Sequence, residues 1–214
     1  MSRNLPGKDA PVQRSFGIIE LRAVDDGYYI EGHPAVYDQL TCIGGWFDEV
    51  IERGAFDGCD FSDVVFTVNH DLDEIPLARC RSDNGDSTMQ IRTDDRGLYF
   101  RASLDVDNNN QAKALHSATK RKDINGMSFI FYVAEEAWEG LDTNMPTRRI
   151  KKVKKVIEVS AVTWAAYPGT DINARDKSAL DQAKATLENV RQHTSNDDQE
   201  LELMKLRTQI LLKG

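Results

Sequence analysis

Between residues 16 and 162, apolar and polar positions alternate mostly with a period of two, the pattern of strands with one face in a core. FGIIELRAV and GYYIEGHPAVY flank Asp25-Asp26-Gly27, which predicts a hairpin near the start. A loop follows at Gly44-Gly45, and WFDEVIERGAF reads as a short helix or turn. DVVFTVNHD predicts a buried strand (Val64, Val65, Phe66, Val68) that ends at a polar cluster. Strict alternation would put Val64, Phe66, Val68 and His70 on one face. Residues 75–80, 88–93 and 98–104 predict further strands, broken by the DNGD and DDRG turns. INGMSFIFYV and RRIKKVKKVIEVSAVTWAAY predict the last two.

Helical spacing interrupts this pattern over 107–122, where Ala112, Leu115 and Ala118 form a stripe. Asp107 or Asn108 is positioned to cap that helix, and Lys120, Arg121 and Lys122 complement its C-terminal end. After Tyr167-Pro168-Gly169 the pattern turns helical over 177–193 and 197–212, with TSNDD between the two segments. The expected fold class is mainly β with helices (α+β): a mostly antiparallel β-barrel flanked by helices, with a helical C-terminal tail. The expected organisation is a mobile N-terminal arm at 1–15, a domain at 16–176 and the tail at 177–214. The apolar stripes of the tail fit packing on the barrel, a homodimer or higher oligomer, or a packaging segment that binds a partner.

Composition narrows the function. A net charge of -8 on 214 residues argues against a general nucleic-acid binder, which needs a cationic surface. The basic run Arg148–Lys155 alternates with Ile150 and Val153 and reads as a strand with a solvated, charged side. Three cysteines, Cys42, Cys59 and Cys80, make no CxxC pair, no disulfide framework and no zinc knuckle, and point to a reducing compartment. The N-terminus has no apolar h-region and no run approaches a membrane span.

Three polar residues stand in apolar strand context: Ser128 in GMSFIF, His70 in VNHD and Glu158 in VIEVSAV. This is the inventory of nucleophilic acyl transfer. Serine is a weak nucleophile until an imidazole takes its proton, and a carboxylate fixes the tautomer of that imidazole and stabilises its charged form. Each residue also has an ordinary reading. Ser128 can satisfy a strand carbonyl, His70 beside Asp71 can cap a turn, and Glu158 can pair with a nearby lysine. His33, His116 and His193 read as solvated, and a His33/His70/His116 metal site has no ligand spacing behind it.

An ordered series of segments decides between these readings. EGHPAVYD, FDEVIERGAF, VNHD followed by PLAR, DDRGLYFRASLD, INGMSFIF and EVSAVTWAAYP together resemble the prohead (capsid maturation) serine proteases of tailed bacteriophages over residues 17–176. The fold of those proteases is similar to that of the herpesvirus assemblins. The resemblance implies Ser128 as nucleophile, His70 as general base and Glu158 as third member, although the herpesvirus relatives use a second histidine there. Leu77-Ala78-Arg79 and Ala165-Ala166-Tyr167 stand where the family often has Leu-Gly-Arg and Pro-Ala-Tyr. Further expectations follow from the resemblance: cleavage of scaffold, or of the scaffold-like segment of the major capsid protein, and of the chain itself. They include action inside the assembling procapsid in the host bacterial cytoplasm, and no metal, organic cofactor, nucleic acid or membrane. Arg79 is a candidate helper of backbone N–H groups at the oxyanion. The rivals are a non-enzymatic assembly or scaffold protein that retains the fold, and a cysteine hydrolase using Cys59 or Cys80.

Overall fold

The computed structural model describes residues 11–16, 21–24, 27–81, 87–163, 181–196 and 204. In chain order the strands are β1 (Val12–Phe16), β2 (Arg22–Val24), β3 (Tyr29–Val36), β4 (Thr41–Ile43), β5 (Phe47–Ile51), β6 (Asp63–Val68), β7 (Ala78–Arg81), β8 (Met89–Thr93) and β9 (Gly97–Ser103). Helix α1 (Asn110–Lys120) then leads into β10 (Gly126–Glu139) and β11 (Thr147–Val162). A second helix, α2, covers 181–196.

The strands form a seven-stranded sheet and a four-stranded sheet, the latter in the order β2-β3-β9-β8. The larger sheet runs β1-β10-β11-β5-β4, with β6 added to β11 and β7 to β6. The length of β11 explains this layout. One of its edges takes β5 in parallel at Thr147–Ile150 and, further along, β6 in parallel at Glu158–Ala161. Its other edge pairs with β10 in an antiparallel hairpin.

That sharing of one edge corrects the barrel expectation. A barrel needs a continuous ladder around its circumference. Here the sheet splits into two arms along β11, and its main run ends at β1 and β4, so no closed barrel forms among the described residues. The two sheets enclose one core. Phe66 of β6 and Phe100 of β9 meet across it at 5.2 Å between ring centroids, and Phe129 and Phe131 stack at 4.5 Å. All four are fully buried.

Other expectations change locally. Residues 12–15 of the expected arm belong to β1, which pairs antiparallel with β10. WFDEVIERGAF is not a helix: Phe47–Ile51 is strand, followed by turns. Helix α1 is capped by Asn109, whose Oδ1 accepts from the N–H groups of Gln111 and Ala112 at 2.9 and 3.2 Å. In the tail, α2 buries Ala183 and Leu187 against Ile43 and Phe47. The segment expected as a helix over 197–212 lies outside the described residues except for Met204, which is helical.

A buried charge cluster ties β1 to the far part of the sheet. Arg14 Nε donates to Glu49 Oε1 at 2.7 Å, and Arg148 Nη1 donates to Glu49 Oε2 at 3.0 Å. Arg148 also forks onto Glu136. Burial alone would push the Glu49 carboxyl up, but Arg14 and Arg148 more than offset that and hold it below the usual carboxylate range. Arg148, expected on a solvated strand side, is therefore an interior ion-pair member. Lys151, Lys152 and Lys154 do face solvent.

Candidate active site

Strand β6 alternates as expected up to Thr67: Val64 and Phe66 enter the core, and Thr67 is buried on the other face. Asn69 and His70 then take positive φ, 52° and 58°. This pair of left-handed residues turns the chain back over β11 and breaks the alternation. His70 consequently joins Thr67 and Glu158, away from the face of Val64 and Phe66 that strict alternation predicted. Left-handed backbone is costly for non-glycine residues, and here it is stitched down. Asn69 N–H donates to the Ala161 carbonyl at 2.9 Å, and the Thr163 N–H donates to Asn69 Oδ1 at 3.0 Å.

The ring of His70 meets Glu158, with Nδ1 and Oε2 2.8 Å apart. The Glu158 side chain is fully buried and that of His70 is 10% exposed. An ionised carboxylate only accepts, and opposite one Nδ1 would carry the ring proton and Nε2 would keep its lone pair. Thr67 Oγ1 donates to the second carboxylate oxygen, Oε1. Ser160, two residues after Glu158, places its Oγ 3.0 Å from Thr67 Oγ1 and accepts from the His70 backbone N–H at 2.9 Å. His70 Nε2 is buried and has no hydrogen-bond partner among the described residues.

Ser128 lies one strand away. It pairs in register with Ser160, which pairs with Thr67, so Ser128, Ser160 and Thr67 form a row across β10, β11 and β6. Ser128 is fully buried, and its Oγ donates to the Arg14 carbonyl of β1 at 2.8 Å. The structure thus joins His70 to Glu158, and brings Ser128 to the adjacent strand with its hydroxyl on β1 and not on His70. Thr67 and Ser160 were missed by sequence reasoning. The signal was present: each is a hydroxyl residue inside an apolar strand, and Ser160 shares a strand face with Glu158.

The remaining candidates fall elsewhere. Arg79 is forked onto Asp63, with both contacts at 2.6 Å, and is committed to that carboxylate. Burial pushes the Cys59 thiol up to about 12 and raises that of Cys80, which leaves both as poor nucleophiles. His33, expected in solvent, is partly buried with Nε2 3.0 Å from Asp94 Oδ2, and His116 is buried edge-on against Tyr28. His193 is exposed as expected. No cluster of three or more His, Cys, Asp or Glu side chains suited to a metal ion occurs among the described residues.

A family model described as the caudovirus prohead serine protease matches residues 18–185, a span that contains Ser128, His70 and Glu158. The chain belongs to this family. The matched span includes both members of the His70–Glu158 pair. Among solved structures, the bacteriophage T4 capsid assembly protease, gp21, is similar to this chain at a TM-score of 0.40 and 13% identity. That alignment covers 73% of this chain and 100% of the other. No curated protein matches the chain. Among the described residues, no helix is long and apolar enough to cross a membrane.

Proposed function

We propose that this chain is a serine endopeptidase of prohead maturation, with Ser128 as nucleophile, His70 as general base and Glu158 as the group that orients and stabilises the imidazole. The observation that carries this reading is the buried His70–Glu158 pair, whose Glu158 lies on β11, the strand that pairs with the Ser128 strand β10, while His70 Nε2 is buried without a hydrogen-bond partner among the described residues. In the reaction Ser128 Oγ turns from the Arg14 carbonyl towards Nε2 and gives up its proton. It bonds to the scissile carbonyl carbon, and backbone N–H groups stabilise the oxyanion. The C–N bond breaks as His70 returns the proton to the leaving amine, and water releases the acyl group by the same route. The substrates are scaffold, or the scaffold-like segment of the major capsid protein, and the chain itself, and the place is the assembling procapsid in the host bacterial cytoplasm. No nucleic acid, membrane, metal or organic cofactor takes part.

A second reading has one observation in its favour. Ser128 is fully buried with its hydroxyl on β1, as expected of a non-enzymatic assembly protein that keeps the fold. The test is co-expression with the capsid subunit, comparing wild type with Ser128→Ala by intact mass. Shortening of the subunit by wild type alone supports the protease. Equal cleavage by both variants removes Ser128 as nucleophile, and assembly without cleavage by either favours the second reading.

A further inference from the structure

The hydroxyls of Thr67 and Ser160 have forced hydrogen-bond directions, and those directions close a ring on His70. Thr67 Oγ1 donates its one hydroxyl proton to Oε1 of the buried Glu158. Thr67 Oγ1 must then accept in its 3.0 Å contact with Ser160, which fixes the Ser160 proton on Thr67. Ser160 Oγ in turn has its lone pair free for the His70 backbone N–H at 2.9 Å. The circuit runs from the His70 amide to Ser160, to Thr67, to Glu158, and back to the His70 ring through Nδ1 at 2.8 Å. One residue is therefore gripped at backbone and side chain by the same four bonds.

We propose that Thr67 and Ser160 are positioning residues, which hold His70 in its left-handed turn and set its ring as the Nδ1–H tautomer so that Nε2 is the basic nitrogen. This deepens the protease reading and rests on it for its catalytic consequence, but the tautomer itself does not depend on that reading. All the linking groups are buried, so each loss leaves an interior donor or acceptor unpaired. The two residues play different parts. Thr67 orients the carboxylate that the ring reads. Ser160 satisfies the amide of a residue whose φ of 58° needs outside support. A hydroxyl that only filled the core would be replaceable by an isosteric methyl without changing the His70 ring.

The test combines a spectrum with a chemical probe. Full-length protein labelled with ¹⁵N-histidine reports which ring nitrogen of His70 carries the proton, with His70→Gln giving the assignment. A fluorophosphonate probe reports nucleophile activation: Ser128 Oγ bonds to phosphorus, the P–F bond breaks, fluoride leaves, and the serine proton passes to His70. The expected wild-type spectrum shows the proton on Nδ1, and Thr67→Val loses or moves that signal while Thr67→Ser keeps it. Labelling of Ser128 falls at least tenfold in Thr67→Val and Ser160→Ala and recovers in Thr67→Ser. A wild-type proton on Nε2 overturns the proposal even if no variant folds. So does an unchanged His70 spectrum and labelling rate in folded Thr67→Val and Ser160→Ala. If wild type shows the Nδ1 proton and the Thr67→Val shift but no labelling, the positioning ring stands and the protease reading fails.

Discussion

Replacing Glu49 by Gln isolates the buried charge cluster with almost no change of shape. Glu49 is fully buried and receives one hydrogen bond from each of two buried guanidinium groups, at 2.7 Å from Arg14 and 3.0 Å from Arg148. The amide of Gln can accept from one arginine through its oxygen. Its NH₂ then faces the other, donor against donor, and the cluster gains an uncompensated positive charge. Breaking a buried pair in this way costs about 3–5 kcal/mol, a large share of the ~5–15 kcal/mol that holds a domain together. With a urea slope of about 2 kcal/mol/M, a 4 kcal/mol loss moves the unfolding midpoint down by about 2 M. The assay is urea unfolding at pH 7 in a Ser128→Ala background, which keeps the chain intact. The pH dependence supplies a second check. The folded-state pKa of Glu49 is held below its unfolded value, so its contribution is present above about pH 4.3 and disappears as pH falls through the lower folded value. The stability gap between the chain with Glu49 and its Glu49→Gln variant should therefore be widest near neutrality and close on acidification. A gap under about 1 kcal/mol at pH 7, or one that stays constant to the acid limit, would refute the reasoning.

Two further predictions test other parts of the structure. Gly97→Ala should cost at least about 2 kcal/mol in thermal unfolding, because the added Cβ would sit 2.1 Å from the Ala35 carbonyl oxygen across the β3–β9 ladder; Gly45→Ala, with nothing within 4 Å, should cost about 1 kcal/mol, and equal losses at the two sites would show that the close approach is not what limits Gly97. Cys59, its thiol pushed up to about 12 by burial, should react with iodoacetamide at pH 8 roughly a thousandfold more slowly than in urea-unfolded chain, and a folded rate within tenfold of the unfolded one, read by peptide mass, would contradict that burial.

Period-two alternation made most strands legible, as did the turn chemistry at Asp25-Asp26-Gly27 and DDRG. Local patterning carries both. Pairing across long distances left no such mark. The split edge of β11 depends on β5 and β6 arriving in parallel at different positions, and neither strand announces its partner, so a barrel was the natural expectation. WFDEVIERGAF was ambiguous because a buried strand followed by tight turns has no clean period. Ser128, His70 and Glu158 were visible because polar residues stand out in apolar strands. The face of His70 was not, because two consecutive left-handed non-glycine residues cannot be read from Asn-His-Asp. Thr67 and Ser160 gain meaning only once β6 and β11 are in register, and the same register shows Ser128 resting on β1.

The parallel junction of β6 with β11 also sets a folding order. Ser128 and Glu158 share one antiparallel hairpin, whose strands meet through a local turn at residues 140–146. His70 is 88 residues from Glu158 and reaches it only when β6 docks. Closing that longer loop carries a greater entropic penalty, and parallel pairing at such separation is slow. During synthesis β6 emerges well before β11 exists to receive it. The hairpin can therefore form while the imidazole is still elsewhere, and a half-folded chain contains the serine and the carboxylate without their link. Contact order thus places completion of the His70–Glu158 pair after the β10–β11 hairpin, in the step that also brings Val64 and Phe66 of β6 into the core.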